Sequence, residues 1–558
     1  MHRRDFLHAL ALASLSGSLT APARAGNSAP LYRLPERKGA ASLIHLTDCH
    51  AQLLPIHHRE PAINIGTGES AGAAQHLTGE ALLRYYGIPR GSLLAHAFTH
   101  LNFEELAQRY GKMGGFAHLA TLVKSIKSQR PGALLVDGGD SWQGSATALW
   151  TRGADMVAAS KLLGVKAMTG HWEFTLGAER VMELIRHDMA DSIAFIAHNV
   201  FTRDFGDRVF PPYVIQEIAG LEVAIIGQAY PYTPIANPQH LIPDWTFGIH
   251  EKSLRETIDE VRQRKVAAVV LLSHNGVDVD LKLAGRVEGL TAILGGHTHD
   301  PLPMPIRVKN GAGETLVANA GSNGKFIGVL DIFLRSGKTA CDYSLMPVFS
   351  NLLEPDAEMT ALIARIRQPF EQSLGKVLAV TDDLLYRRGN FNGSFDEIIL
   401  DSLQHSQDAQ IALSPGFRWG TTLLPGSDIT VEDVMAQTAI TYPGVTLRSL
   451  RGEEIKEALE DIADNLFNPD PYYRQGGDML RTRGLTYTCN PNASIGQRID
   501  DIRINSNPVE ADKSYRVAGW ASVLEADSTS APVWESLQIY LRNRKTIRID
   551  SINTPKLL

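Results

Sequence analysis

The sequence predicts an α/β fold from Ser42 to about Gly321, followed by a second region near the C-terminal end of the chain. Short apolar runs bounded by Gly, Asp or Asn alternate with longer stretches, which is typical of buried strands in an α/β domain. Near residue 354 this rhythm stops, and the rest of the chain has strand and helix signals of its own. The predicted strands are Leu43–Leu46, Ala133–Val136, Val165–Met168, Ile193–Ala197, Val223–Ile226, Val266–Leu272, Leu290–Leu294 and Thr315–Ala318, and the predicted helices are Phe116–Ser128 and Ile249–Lys265.

The same signals predict two domains joined by a helix. The first domain is expected over residues 40–350 and the second over 376–558. Residues 351–375 are expected to form the linker, because Pro355–Leu374 has a helical pattern. The stretch 52–112 interrupts the strand rhythm, so we expect an insertion at one edge of the first domain.

Composition excludes several classes of partner and site. The chain has 54 basic and 61 acidic residues, a net charge of −7, which gives no electrostatic case for binding nucleic acid or an anionic membrane. Its three cysteines, Cys49, Cys341 and Cys489, are too few and too scattered for a disulfide framework or a thiolate metal site. We expect a monomer that contacts neither nucleic acid nor membrane.

Residues 1–25 are predicted to be an export signal. A charged start is followed by an apolar run, Phe6–Leu19, and a small-residue end, Ala23-Arg24-Ala25. The apolar run is too short and too interrupted to span a membrane. Arg3 and Arg4, followed by an aromatic residue and a leucine, resemble the twin-arginine signal, which exports folded proteins; an ordinary secretory signal with two chance arginines is the alternative. The expected location is the periplasm.

Four polar clusters follow four of the predicted strands at their carboxyl ends. Open α/β sheets bind their ligands at that edge. Any one cluster alone is more often a turn, a cap or a surface pair than a metal site. Four of them at equivalent strand ends favour a metal centre. The clusters are Asp48-Cys49-His50, Asp137-Gly138-Gly139-Asp140, His274-Asn275-Gly276 and Gly295-Gly296-His297-Thr298-His299-Asp300.

The number of donor groups indicates two metal ions rather than one. Two carboxylates and several imidazoles exceed what one four-coordinate zinc uses, and a shared aspartate would let two ions sit about 3.5–4 Å apart. Against the two negative charges of Asp48 and Asp140, two divalent ions leave a positive centre that binds an anion and activates water. This mixed donor set suits Mn, Fe, Co or Zn, so the residues alone leave the metal open.

The motifs, in this order, resemble those of the calcineurin-like metallophosphoesterases, and the chain as a whole resembles the two-domain 5′-nucleotidase family. The matching motifs are Asp48-x-His50, Gly139-Asp140-Ser141-Trp142-Gln143-Gly144, His274 and Gly296-His297-Thr298-His299. The resemblance implies an N-terminal calcineurin-like domain of sandwiched sheets flanked by helices and a C-terminal 5′-nucleotidase-type α+β domain. It also implies two ligand sets that share an aspartate: Asp48, His50, Asp140 and His299 for one ion, and Asp140, His171, His274 and His297 for the other.

The segment Gly170-His171-Trp172-Glu173-Phe174-Thr175 departs from that family. The nucleotidases have Gly-Asn-His-Glu-Phe-Asp there, where the Asn is a metal ligand and the His–Asp pair assists phosphoester cleavage. Here His171 stands at the Asn position, Trp172 at the His position and Thr175 at the Asp position. A tryptophan cannot donate a proton to a leaving group as a histidine can, so the substitution favours a different substrate bond.

This substitution, the export signal and the insertion together are similar to the SoxB family, the thiosulfohydrolases of bacterial sulfur-oxidising systems. The resemblance implies two manganese ions and the release of sulfate from a cysteine S-thiosulfonate on the C-terminal arm of the carrier protein SoxYZ. A persulfide leaving group has a low pKa and needs little general-acid help, which makes the loss of the His–Asp pair tolerable.

Four further residues are candidates for contact with substrate. Arg418, a candidate for both catalysis and binding, stands in a Gly-rich loop where its guanidinium would suit a sulfonate; a surface arginine stacked on its neighbour is the alternative. Trp172 is a candidate catalytic residue that would wall the sulfonate pocket, or it is a buried packing residue. Asn392 is expected to face the cleft or to serve in a turn. Tyr472 is expected to grip the carrier peptide or to lie in an exposed loop.

Three functions are consistent with these observations. The first is the carrier-dependent thiosulfohydrolase. The second uses the same fold for other chemistry, as a periplasmic 5′-nucleotidase or cyclic-nucleotide phosphodiesterase. The third is a module that binds the carrier or stores metal but has lost catalysis, and the intact set of seven ligand candidates argues against it.

Overall fold

The computed structural model describes residues 31–37, 39–59, 65–522 and 530–558. The predicted export signal, residues 1–25, lies outside these ranges. Within them, no helix combines the length and the apolar character needed to cross a membrane.

The first part of the chain contains two six-stranded sheets. Their orders are β14-β13-β1-β2-β3-β4 and β11-β12-β10-β9-β7-β6. β1, β2, β3 and β4 run parallel, as do β7, β9, β10 and β12. The strands are β1 Ala41–Leu46, β2 Leu134–Asp137, β3 Val165–Met168, β4 Ala194–Phe195, β5 Val200–Thr202, β6 Tyr213–Ile218, β7 Leu221–Gln228, β8 Trp245–Phe247, β9 Ala268–Ser273, β10 Ala292–Gly295, β11 Ile306–Asn310, β12 Gly313–Asn319, β13 Phe326–Arg335 and β14 Lys338–Pro347.

The two sheets pack face to face, and helices cover their outer faces. Leu43 and Val136 of the first sheet share one apolar cluster with Val270 and Leu294 of the second, so the strands are buried on both faces and need no polar alternation. The helices of this region are α1 Gly79–Tyr86, α2 Leu93–Phe98, α3 Phe103–Tyr110, α4 Phe116–Gln129, α5 Ala146–Thr151, α6 Ala154–Leu163, α7 Ala178–Glu183, α8 Thr233–Ala236, α9 Glu251–Gln263 and α10 Val277–Arg286.

Residues 79–110, within the predicted insertion, form the three short helices α1 to α3. Leu83 and Phe98 of this segment bury their side chains against Phe326 and Phe349 of the main domain. The segment therefore shares one apolar cluster with the edge of the main domain.

The remainder of the chain forms three smaller sheets with helices packed on them. The sheet orders are β17-β15-β24, β18-β23-β16-β19 and β22-β21-β20-β25. The elements are α11 Ala357–Arg367, α12 Glu371–Leu374, β15 Val377–Thr381, α13 Ser394–Gln407, β16 Ile411–Ser414, β17 Asp428–Thr430, α14 Val431–Thr438, β18 Val445–Arg451, α15 Gly452–Phe467, β19 Arg481–Arg483, β20 Leu485–Cys489, β21 Ile499–Ile504, β22 Asn507–Pro508, β23 Ser514–Trp520, α16 Val533–Arg544, β24 Thr546–Ile547 and β25 Lys556–Leu557.

The predicted fold class is confirmed, and the predicted linker helix differs in detail. The two long helices predicted in the first part begin and end within two residues of α4 and α9. The segment predicted as one linker helix is two, α11 and α12. Pro369 lies between them, and since proline has no N–H to continue the hydrogen-bond ladder, the helix ends before it.

Candidate metal centre and substrate cavity

All seven ligand candidates lie at the carboxyl edge of the two sheets. Asp48 and His50 follow β1, Asp140 follows β2 and His171 follows β3 of the first sheet. The others follow β9 and β10 of the second sheet: His274 directly after β9, and His297 and His299 after β10. Because parallel strands end at one edge, the loops that follow them meet there.

The side chains form two buried groups that share Asp140. In one group are Asp48, His50, Asp140 and His299; in the other are Asp140, His171, His274 and His297, and within each group the ligand atoms lie within 4.8 Å of one another. Asp140 Oδ2 lies 3.0 Å from His274 Nε2 and 3.3 Å from His171 Nδ1. These are the two sets that the resemblance implies, so the structure brings the predicted residues together.

Five of the seven residues have left-handed backbone conformations. Asp48, His50, Asp140, His297 and His299 have φ between 44° and 73°. Such a conformation is unfavourable for a residue with a Cβ and is kept only where surrounding contacts impose it, most often at functional sites. In the loops that follow β1 and β2, backbone hydrogen bonds help to hold this conformation: Asp48 N donates to Gly139 O and His50 N to Asp140 O, both at 2.8 Å.

Glu173 connects the loop that follows β2 to the loop that follows β3 through hydrogen bonds to their backbone. Its Oε1 accepts hydrogen bonds from the backbone N–H of Ser141 (2.7 Å) and Trp142 (3.3 Å). Its Oε2 accepts from His171 N (2.8 Å) and Asp140 N (3.2 Å). One fully buried carboxylate therefore fixes the loops that follow β2 and β3. Sequence reasoning gave this residue no role, although it stands two positions after a ligand candidate.

The electrostatics of the cluster suit metal cations. Burial lowers the pKa of His50, of His171 (to about 4), and of His297 and His299, which keeps these rings neutral and able to offer a lone pair. Burial also opposes the charge on His274, but the carboxylates of Asp140 and Asp48 raise the pKa of His274 to about 10. The two buried carboxylates, Asp48 and Asp140, therefore favour a positive charge placed between them.

Several ring nitrogens support the same conclusion. The Nε2 atoms of His171 and His297 are buried and have no hydrogen-bond partner among the described residues. Buried polar atoms without partners are rare, and ring nitrogens left free in a cluster of this kind suit a metal ion. Outside the cluster, His274 Nδ1 lies 2.6 Å from Gly138 O, an outer contact that fixes the orientation of a ligating ring. The seven residues therefore fit a pair of divalent ions.

A cavity of about 580 Å³ opens from the cluster and is lined by both parts of the chain. Trp172 and Arg418 both line it, as predicted, and both are 8% exposed. Trp172 packs edge-on against Trp419 and Phe417, with ring centroids 5.0 and 5.4 Å apart. The position next to His171 is thus part of an aromatic wall.

Arg418 is held against the metal cluster by the backbone. Its Nη1 donates to His297 O at 3.3 Å and its Nη2 to Gly477 O at 2.7 Å. The alternative, a surface arginine, is excluded by its burial.

Asn392 and Tyr472, both expected to contact substrate, are not among the described residues that line this cavity. The amide of Asn392 donates to Glu397 Oε1 (2.8 Å) and Thr482 O (2.9 Å) and accepts from Thr482 N, so it serves the packing of the second domain. Tyr472 donates from its hydroxyl to Glu251 Oε1 at 2.8 Å and packs under Lys282, which places it at the seam between the two parts of the chain. Its own loop reaches the cavity instead through Gly476.

Tyr230 was not singled out from the sequence. Its ring lies 3.9 Å from that of His171 and 4.3 Å from that of His297, and it lines the cavity. It follows β7, whose carboxyl end lies at the same sheet edge as the ligand candidates. Its position just after a predicted strand is the sequence feature that could have identified it.

Comparison with known proteins matches both parts of the chain. A family model described as 5′-nucleotidase, C-terminal domain, matches residues 377–529. The rat 5′-nucleotidase is 24% identical over 451 residues, which cover 73% of this chain and 76% of that protein. A solved 5′-nucleotidase precursor from Thermus thermophilus superposes with a TM-score of 0.73 at 22% identity, over 93% of this chain and 99% of the other, and shows the shared fold.

A second solved structure is more similar. The sulfate thiohydrolase SoxB of Thermus thermophilus, in complex with glycerol, is 36% identical and superposes with a TM-score of 0.90, over 94% of this chain and 98% of the other. The fold and the paired clusters define a hydrolase of the 5′-nucleotidase and calcineurin-like metallophosphoesterase superfamily. Within it, this chain belongs to the SoxB family.

Proposed function

We propose that this chain is a periplasmic thiosulfohydrolase that releases sulfate from a cysteine S-thiosulfonate carried on a SoxYZ-type protein. The observation that carries the proposal is the pairing of a complete metal-ligand cluster with an aromatic wall at Trp172. A site that has the metal ligands without a proton donor at this position suits a bond whose leaving group departs unprotonated.

The reaction we propose is a hydrolysis of the terminal sulfur–sulfur bond. The oxygen of water joins the sulfonate sulfur, the bond to the sulfane sulfur breaks, and its electron pair leaves with the carrier persulfide. Sulfate and protons are the other products. Two divalent ions, which we propose to be manganese, would supply Lewis acidity and an activated water at the cluster.

The chain's own residues would bind and orient the sulfonate. Arg418 lines the cavity beside His297 and offers guanidinium donors that match the spacing of sulfonate oxygens. Trp172 and Trp419, which also line the cavity, would limit the access of bulk water to the scissile bond. A cavity of about 580 Å³ exceeds what one thiosulfonate group fills and leaves room for the peptide that bears it.

The test is a paired turnover assay on one preparation whose metal content is measured. Sulfate release is followed on the carrier loaded with thiosulfonate, and phosphate release is followed on AMP. We expect sulfate release that follows metal occupancy, its loss in His171→Ala, and its retention in His240→Ala, a matched change at an exposed histidine. A preparation with both metal sites filled that releases no sulfate would refute the proposal.

The alternative function, a 5′-nucleotidase, is supported by the 24% identity to the rat 5′-nucleotidase. It predicts AMP hydrolysis that rises with metal occupancy while the loaded carrier is left intact. The two arms of the assay therefore separate the two functions.

A further inference from the structure

Four arginines and two aspartates form a buried cluster on the second-domain side of the cavity. Its members are Arg387, Arg388, Arg418, Arg481, Asp396 and Asp478, and each is at most 8% exposed. Four positive charges against two negative ones give the cluster a net positive charge. Of the six residues, Arg418 and Asp478 line the cavity. We call this group the arginine cluster.

Asp478 lies at the centre of the arginine cluster. Its Oδ2 is 3.0 Å from Arg481 Nη2 and 3.9 Å from Arg388 Nε, and its Oδ1 is 3.5 Å from Arg418 Nε. The main chain of Asp478 is itself held in place, because Asp478 N donates to Gly416 O at 2.9 Å. Asp396 serves the other side of the cluster, with contacts to Arg387 Nε (3.0 Å) and Arg481 Nε (3.3 Å).

The contacts of Arg418 leave a defined pair of donors. A guanidinium has five N–H groups. Its Nε lies 3.5 Å from Asp478 Oδ1 as an ion-pair contact without a hydrogen bond, one N–H of Nη1 donates to His297 O and one N–H of Nη2 donates to Gly477 O. Each Nη has a second N–H, and a pair of guanidinium N–H groups can bind two oxygens of a sulfonate or sulfate.

We propose that Asp478 is a positioning residue that holds Arg418 so that its two remaining N–H groups form a fork for the oxyanion. That the natural ligand is a sulfonate rests on the proposed function. The pair of N–H groups itself suits any tetrahedral oxyanion.

The sign of one mutational effect separates positioning from a simple charge effect. A carboxylate near an anion repels it, so if Asp478 acted only through its charge, removing that charge would strengthen anion binding. If Asp478 acts by holding Arg418, the same change weakens binding because the fork loses its orientation. Asp478→Glu keeps the charge and moves the carboxylate by one methylene, which isolates the geometry.

The experiment is a calorimetric titration of inorganic sulfate into metal-loaded protein. We expect Asp478→Asn and Asp478→Glu each to raise the Kd for sulfate about tenfold, a change of about 1.4 kcal/mol. In an Arg418→Gln background we expect Asp478→Asn to add less than twofold, since the residue through which it acts is gone. Asp155→Asn, a buried carboxylate outside the arginine cluster and the cavity lining, should leave the Kd within twofold.

Three results would overturn the proposal. The first is tighter sulfate binding by Asp478→Asn, the second an unchanged Kd in Asp478→Glu, and the third a full additional loss when Asp478→Asn is combined with Arg418→Gln. Thermal unfolding of each variant shows which ones fold. If Asp478→Asn does not fold, Asp478→Glu still tests the proposal. Because sulfate binding needs no turnover, the titration gives its answer even if the carrier proves not to be the substrate.

Discussion

Glu173 offers the sharpest test of how the metal-ligand loops are held. In Glu173→Gln one acceptor oxygen becomes an NH2 group, which cannot accept a hydrogen bond. Each oxygen now accepts two backbone N–H groups, so two buried donors lose their acceptor. At about 1–3 kcal/mol for each buried donor left without a partner, the free energy of unfolding should fall by about 2–6 kcal/mol.

The same substitution should also weaken metal binding, because the loops of Asp140 and His171 lose their common anchor. Outer contacts of this kind are typically worth a factor of about 10–100 in metal affinity. Urea denaturation and a metal titration of the apo-protein measure the two effects. Glu179→Gln, at an exposed glutamate on α7, should change the free energy of unfolding by less than about 0.5 kcal/mol. A Glu173→Gln variant as stable and as metal-rich as wild type would refute the anchoring role.

Three other predictions follow from the structure. Chelation should lower the thermal unfolding midpoint, and re-added metal should restore it, because five ligand candidates have unfavourable positive φ values that bound ions would help to hold; calorimetry checks this. Gly476→Ala should reduce metal content and turnover, since its Cβ would lie 2.3 Å from His297 Nε2, whereas Gly496→Ala, with a similar φ and nothing within 4 Å, should affect neither. Asp331→Ala should cost about 3–5 kcal/mol in urea denaturation, because it leaves the buried Arg130 guanidinium without the carboxylate that now lies 2.8 Å away; a loss below 1 kcal/mol would contradict this.

The sequence predicted the sheet edge and its ligand candidates well because the signal there is local. An apolar run indicates a buried strand, and a polar cluster directly after it lies at the edge of the sheet where parallel strands end. Asp48 and His274 needed no knowledge of distant residues to be placed. His171 is different: it follows β3 alone, without a cluster, and only the family resemblance singled it out.

Residues of the second domain were harder to predict because their roles depend on long-range contacts. Asn392 and Thr482, whose backbone it holds, are separated by 90 residues in sequence. Tyr472 meets Glu251, 221 residues before it. No local pattern reports which loop of a second domain turns toward a site on the first, so a polar residue in a Gly-rich loop is an ambiguous signal.

The two tasks that we propose for the site, metal binding and oxyanion binding, lie on opposite sides of the seam between the two parts of the chain. The ligand candidates come from the first part, while Arg418 and Asp478 come from the second. The seam is held close to the site by Tyr230, whose hydroxyl donates to Gln475 O, and by Arg418 itself, through His297 O. Loosening these contacts should therefore weaken binding of the oxyanion while the metal ligands keep their places.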